Sequence, residues 1–144
     1  MLQAWRRFTR LSTAQKCVAM ESALLLPATA LGLRLLGLER MLRLVDGSPS
    51  REQSVEFTPE QYFDLLSAVA RRAFPRGRCL VRSLALYWLL HRHGIAGDLR
   101  IGVRFLDGRL HAHAWVELKG VVLDSGNPRQ DFSTLEETVS TACR

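Results

Sequence analysis

Three residues in the second half of the chain have types and an order suited to covalent chemistry. Cys79 opens Cys79-Leu80-Val81-Arg82-Ser83, His113 lies within His111-Ala112-His113-Ala114-Trp115-Val116-Glu117, and Asp124 closes Val121-Val122-Leu123-Asp124. A thiol can attack a carbonyl carbon, an imidazole can carry the proton this displaces, and a carboxylate can fix the tautomer of that imidazole. Nucleophile, base and base-orienting acid of a thiol enzyme would then be Cys79, one of His111 and His113, and Asp124.

The elements that must position them follow from periodicity. Leu80, Val81, Leu84, Leu86, Leu89 and Leu90 recur at helical spacing, and Gly94 is a natural stop, which predicts a helix over 80–93 with Cys79 at its N-terminus. The partial positive charge of the unpaired N–H groups there favours the anionic form of a thiol, and Arg76 and Arg78 act in the same direction. Pro75 and Gly77 add a tight lead-in whose N–H groups could face a developing oxyanion.

Beyond Gly94 the period becomes two. Leu99, Ile101, Val103 and Phe105 alternate with Arg100, Gly102 and Arg104, Asp107-Gly108 is a hairpin turn, and a second strand runs from Leu110 to Leu118. Lys119-Gly120 turns the chain into a third short strand ending at Asp124. On the middle strand His111, His113, Trp115 and Glu117 share one face, and Ala112, Ala114, Val116 and Leu118 share the other. A carboxylate at Asp124, on the adjacent strand, can reach an imidazole on the first of these faces.

Each residue also has a structural interpretation. A single Cys in an apolar stretch is often a small core residue, alternating histidines are often sheet surface, and Asp before Ser-Gly-Asn-Pro is often a turn former. A metal site formed by His111, His113 and Asp124 is a further alternative, since residues two apart on a strand face the same way. His91 and His93, two apart on a helix, point apart and do not extend it. The combination of the three types, in order and on suitable elements, favours catalysis.

The motifs Cys79-Leu80-Val81-Arg82-Ser83-Leu84-Ala85-Leu86, Gly94-Ile95, Ile101-Gly102-Val103-Arg104 and Ala112-His113-Ala114-Trp115-Val116-Glu117 resemble the leader peptidases of lasso-peptide biosynthesis, a branch of the transglutaminase-like superfamily. The resemblance is strong over about residues 55–126 and loose in the N-terminal helices. It implies Cys79 as nucleophile, His113 as general base and Asp124 as the acid that orients it, with His111 lining the cleft. It also implies cleavage of a leader from a ribosomally made precursor peptide, and a separate ATP-dependent cyclase acting next. In that family leader recognition comes from a winged-helix-type domain, fused or separate. The 78 residues before Cys79 read as helices without the strands of such a domain, so the resemblance implies a separate recognition partner. An acyl transferase or amidase with the same triad, and a non-catalytic binding module, are the alternatives; no metal or cofactor is needed for cleavage itself.

The expected fold class is α+β, a papain/transglutaminase-like core in which the Cys-bearing helix packs on a small antiparallel sheet, preceded by N-terminal helices. The expected organisation is an N-terminal helical hairpin over 1–45, a linker over 46–58 and the peptidase core over 59–144. A chain of 144 residues suits a single hydrophobic core. Net charge is +6 and 18 of the 20 basic residues are arginine, but they are scattered rather than clustered with aromatics. An acidic peptide or protein is therefore a better partner than nucleic acid. Three cysteines (Cys17, Cys79, Cys143) form no disulfide framework and, with no secretion signal, point to a reducing cytoplasm.

Ser12-Thr13-Ala14-Gln15 is a capping box that predicts helices over 13–26 and 28–44, with Pro27 at the joint. The apolar run Ser22–Leu33 is shorter than the roughly 20 residues of a membrane span and is bounded by Glu21 and Arg34. It reads as a buried or partner-binding helical hairpin, with peripheral membrane contact through Trp5, Phe8 and the flanking arginines as the alternative. Thr58-Pro59-Glu60 starts another helix, whose apolar face includes Tyr62, Leu65, Leu66, Val69 and Ala70. Ser133-Thr134-Leu135-Glu136 caps an expected terminal helix.

Overall fold

The computed structural model describes residues 12–50, 57–73, 79–124 and 133–134. Among the described residues four helices precede a small antiparallel sheet: α1 (Thr13–Leu36), α2 (Leu38–Asp46), α3 (Pro59–Ala73), α4 (Cys79–Arg92), then β1 (Asp98–Leu106), β2 (Arg109–Leu118), β3 (Val121–Leu123) and β4 (Ser133–Thr134). The strands lie in the order β3-β2-β1-β4, a three-stranded meander extended by the two residues of β4. The fold class is the α+β arrangement expected, with the Cys-bearing helix on the sheet.

The helix starts follow the capping chemistry in the sequence. Gln15 N–H donates to Ser12 Oγ while Ser12 N–H donates to Gln15 Oε1. Thr58 and Gln61 repeat the pattern at the start of α3. These reciprocal bonds satisfy donors that a helix N-terminus leaves without partners.

Pro27 does not divide the first helix. α1 runs through it to Leu36, and the break comes at Gly37, whose φ of 78° suits glycine. Proline removes one i→i−4 bond, but Pro27 and Ala23, whose carbonyl would receive that bond, are both exposed to water. Buried Leu25, Leu26 and Thr29 meanwhile hold the helix to the core on either side of the ring. By length and composition alone α1 could span a bilayer. Its inner face, including Val18, Leu25 and Leu26, is instead buried in the core, while Met20, Leu24, Leu31 and Leu35 are exposed.

α4 is the central element. Leu84, Ala85, Leu89 and Leu90 have no exposed surface, and the helix packs against α1 and α3 on one side and β2 on the other. A helix apolar around most of its circumference belongs in an interior. Each fully buried leucine contributes roughly 1.5–3 kcal/mol relative to exposure. One hydrophobic cluster extends from Val18 and Leu26 on α1 through Leu42 on α2, Leu66 on α3 and Leu84 on α4 to Val116 and Leu123 in the sheet.

α4 ends at the position its sequence predicts. Gly94, with φ of 72°, lets Ile95 N–H donate to Leu90 O at 2.9 Å and Gly94 N–H to His91 O at 3.0 Å, the paired bonds of a Schellman terminus. Both hairpin turns have positive φ at their central residues, 51° and 74° at Asp107-Gly108 and 48° and 82° at Lys119-Gly120. That is the type I′ geometry whose twist matches antiparallel strands. Ser133 and Thr134, expected to cap a helix, pair with Val103 and Gly102 of β1 instead. The residues which that helix would occupy lie outside those described.

Candidate active site

β2 pairs with β1 along its whole length but with β3 only from Val116 to Leu118. Among the described residues no strand pairs with its outer edge before Val116. The first turns of α4 cover it: Ser83 Oγ–H donates to Ala114 O at 2.6 Å, and Cys79 Sγ lies 3.9 Å from Ala112 O. Carbonyls two residues apart leave a strand on the same side, and residues four apart on a helix lie one above the other, so the two contacts share one geometry. They place Cys79, partly buried at the helix N-terminus, beside the residue that precedes His113.

Asp124 comes immediately after β3. Leu123 pairs with Val116, so the next register position sets Asp124 opposite Trp115 and diagonal to His113, on the same face of the sheet. His113 Nε2 is 2.6 Å from Asp124 Oδ2. An ionised carboxylate only accepts, so Nε2 carries the hydrogen and Nδ1 is the basic nitrogen of the neutral ring. The second carboxylate oxygen, Oδ1, accepts from Arg82 Nη2 at 3.1 Å. Asp124 is 8% exposed at its side chain, and a carboxylate so buried needs such partners.

The expected face of His113, Trp115 and Glu117 is present, and its side chains form a packed polar spine. The imidazole stacks on the Trp115 ring with centroids 6.1 Å apart. Trp115 Nε1–H donates to Glu117 Oε1 at 2.8 Å, and Glu117 Oε2 is 3.5 Å from Arg100 Nε. Trp115 and Glu117 are buried, as are Ala114 and Val116 on the opposite face, so this end of β2 is covered on both sides. His111 is exposed, nearer the hairpin turn.

The structure thus joins His113 to Asp124 and sets Cys79 against the same strand. Among the described residues no three His, Cys, Asp or Glu side chains gather in a group able to hold a metal ion. His91 and His93 have other contacts: His91 Nε2 is 3.1 Å from Ser48 O, and His93 Nε2 is 2.9 Å from Glu21 Oε2. The lead-in around Pro75, Arg76, Gly77 and Arg78 lies outside the described residues, as do Trp5, Phe8 and Cys143. Cys17 is an exposed free thiol on α1.

Sequence reasoning assigned nothing to Arg82, Ser83 or Arg100. Arg82 did carry a signal, as the one charged side chain among the apolar residues that follow Cys79 within the first two turns of α4. Ser83 could have been noticed as a hydroxyl four residues from the thiol.

In comparison with known protein families, the transglutaminase-like superfamily matches residues 23–137. No curated protein and no solved structure gave a match.

Proposed function

Because the chain belongs to the transglutaminase-like superfamily, which includes cysteine peptidases and acyltransferases, we propose that it is a cysteine peptidase that removes the leader from a ribosomally made lasso precursor peptide. The observation that carries this reading is the 2.6 Å contact of His113 with Asp124, on a strand whose edge holds Cys79 at a helix N-terminus. The sequence motifs that contain Cys79 and His113 supply the substrate class.

In the proposed mechanism the Cys79 proton passes to His113 Nδ1 and the thiolate attacks the carbonyl carbon at the leader-core junction. The protonated ring then donates to the departing amine, which leaves a thioester on Cys79. Water, deprotonated by His113, hydrolyses that thioester and restores the thiol. Asp124 holds Nε2–H throughout and stabilises the charged ring when it forms. Leader recognition comes from a separate protein in the cytoplasm, and the freed core peptide passes to an ATP-dependent cyclase. The net charge of +6 suits an acidic peptide or partner.

The test is mass spectrometry of a candidate precursor incubated with wild type or Cys79→Ala, with and without a leader-recognition partner. Cleavage at one junction that requires Cys79 and increases with the partner supports the peptidase. A new amide cross-link in place of two fragments assigns the same triad to acyl transfer. No covalent change with folded protein and partner removes the enzyme reading.

A further inference from the structure

Arg82 follows Cys79 by about one turn on α4 and reaches the carboxylate that holds His113. Oδ1 of Asp124 faces Arg82 Nη2 at 3.1 Å, and Oδ2 faces His113 Nε2 at 2.6 Å. The same helix therefore carries the nucleophile and grips the residue that orients the base. From this juxtaposition we infer that Arg82 is a positioning residue that sets the orientation and charge of the Cys79–His113 pair by acting through Asp124. The inference rests on the thiol-enzyme reading above.

Burial makes the contact more than a surface ion pair. Asp124 is 8% and Arg82 29% exposed at the side chain, so water screens the attraction incompletely. In the resting tautomer the imidazole is neutral, and Arg82 supplies a full positive charge beside the carboxylate. When His113 takes the thiol proton, the carboxylate is shared between two cations. Arg82 thereby offsets part of the negative charge that the imidazolium faces and holds the carboxylate that anchors Nε2–H in place.

Other charged and titratable groups lie on the elements around the pair. On β2 these are Arg109, His111 and Glu117, on β1 Arg100, Arg104 and Asp98, with Arg100 directed to Glu117, and at the far end of α4 His91 and Arg92. β3 carries none, and the charged residues of α3, which packs on β3, are exposed. Among these groups, Arg82 is the one placed on the nucleophile's own helix with a bond to Asp124.

The test measures alkylation of Cys79 by iodoacetamide against pH in a Cys17→Ser, Cys143→Ser background, and needs no peptide substrate. In Arg82→Gln the acid limb of the rate profile is expected to move up by about 0.5–1 pH unit, lowering the rate on that limb about three- to tenfold. In an Asp124→Asn background the same substitution should change the rate less than about twofold, because the group through which Arg82 acts is gone. Arg82→Lys, which keeps the charge without the fork, should restore the limb to within about 0.3 pH unit but leave a lower plateau rate. It also keeps the test open if the glutamine variant does not fold.

Limbs and plateaus that superpose on wild type in the folded Arg82 variants would overturn the inference. So would an Arg82→Gln shift of equal size with Asp124 and with Asn at that position, since the guanidinium would then act on the thiol directly. A profile that His113→Ala leaves unchanged removes the triad itself. One that needs His113 but ignores Arg82 removes only the positioning role.

Discussion

Glu21→Gln is expected to destabilise the fold by about 2–3 kcal/mol at neutral pH, and only where the carboxyl group is ionised. Glu21 projects from α1 to the C-terminal end of α4, with Oε1 2.5 Å from Arg92 Nε and Oε2 2.9 Å from His93 Nε2. His93 is itself buried and lies against the Tyr62 ring of α3, with ring centroids 4.7 Å apart, so the cluster ties three helices together. Burial by itself raises the Glu21 pKa, but hydrogen bonds and charges from His93 and Arg92 outweigh it and hold the carboxyl below its ordinary 4.5.

Removing one partner of a buried ion pair costs about 3–5 kcal/mol, and the partial exposure of Arg92 reduces this to about 2–3. For a domain of this size that corresponds to a melting temperature lower by roughly 6–12 °C. A depressed carboxylate stabilises the fold above its unfolded pKa, and that contribution is lost as pH falls through the folded value. Wild type and variant should therefore differ most at pH 7 and converge as pH drops below the ordinary 4.5. Thermal melts followed by circular dichroism from pH 7 downward measure this. A gap under about 2 °C at pH 7, or one that persists undiminished in acid, would refute the reasoning.

Three further outcomes are expected. Cys79→Ala and His113→Ala should abolish peptide cleavage while Asp124→Ala leaves a residue about 10²–10⁴-fold below wild type in kcat/KM, measured by timed mass spectrometry. Ser83→Ala strips the buried Ala114 carbonyl of its 2.6 Å donor and should cost about 1–3 kcal/mol in urea unfolding. Gly32→Ala should destabilise by about 1–3 kcal/mol although alanine is the better helix former, because its Cβ would overlap Met41 Sδ in the buried contact between α1 and α2; thermal melts check the sign.

The parts of this architecture that depend on neighbouring residues were readable in the sequence. The Ser12 and Thr58 caps, the glycine stop at Gly94 and the two turns each rest on chemistry within a few positions, and the structure has them where the residues place them. The alternation that put His113 and Asp124 within reach is equally local, because a two-residue turn fixes the register of the strands it joins. What was not readable depended on distant packing. Pro27 looked like a helix boundary because local sequence does not reveal that Leu25, Leu26 and Thr29 are clamped by other helices. Trp115 and Glu117 were placed on one face with the histidines, but their burial was not readable, since periodicity does not tell how many layers cover a sheet. Arg82 was passed over because its partner lies 42 positions later.

The way α4 lies along β2 has a consequence for the behaviour of the chain in a crowded solution. An uncovered strand edge is a template on which another chain can pair, and proteins protect such edges with charges, bulges, short strands or an overlying element. Here β3 is three residues long, the adjoining Ala114 carbonyl is bonded to Ser83, and the Ala112 carbonyl lies against Cys79. The helix that presents the nucleophile thus also shields the sheet against intermolecular strand addition. Loosening its first turns would expose a sticky edge as well as misplace a thiol, so resistance to aggregation and competence for chemistry depend on the same few contacts.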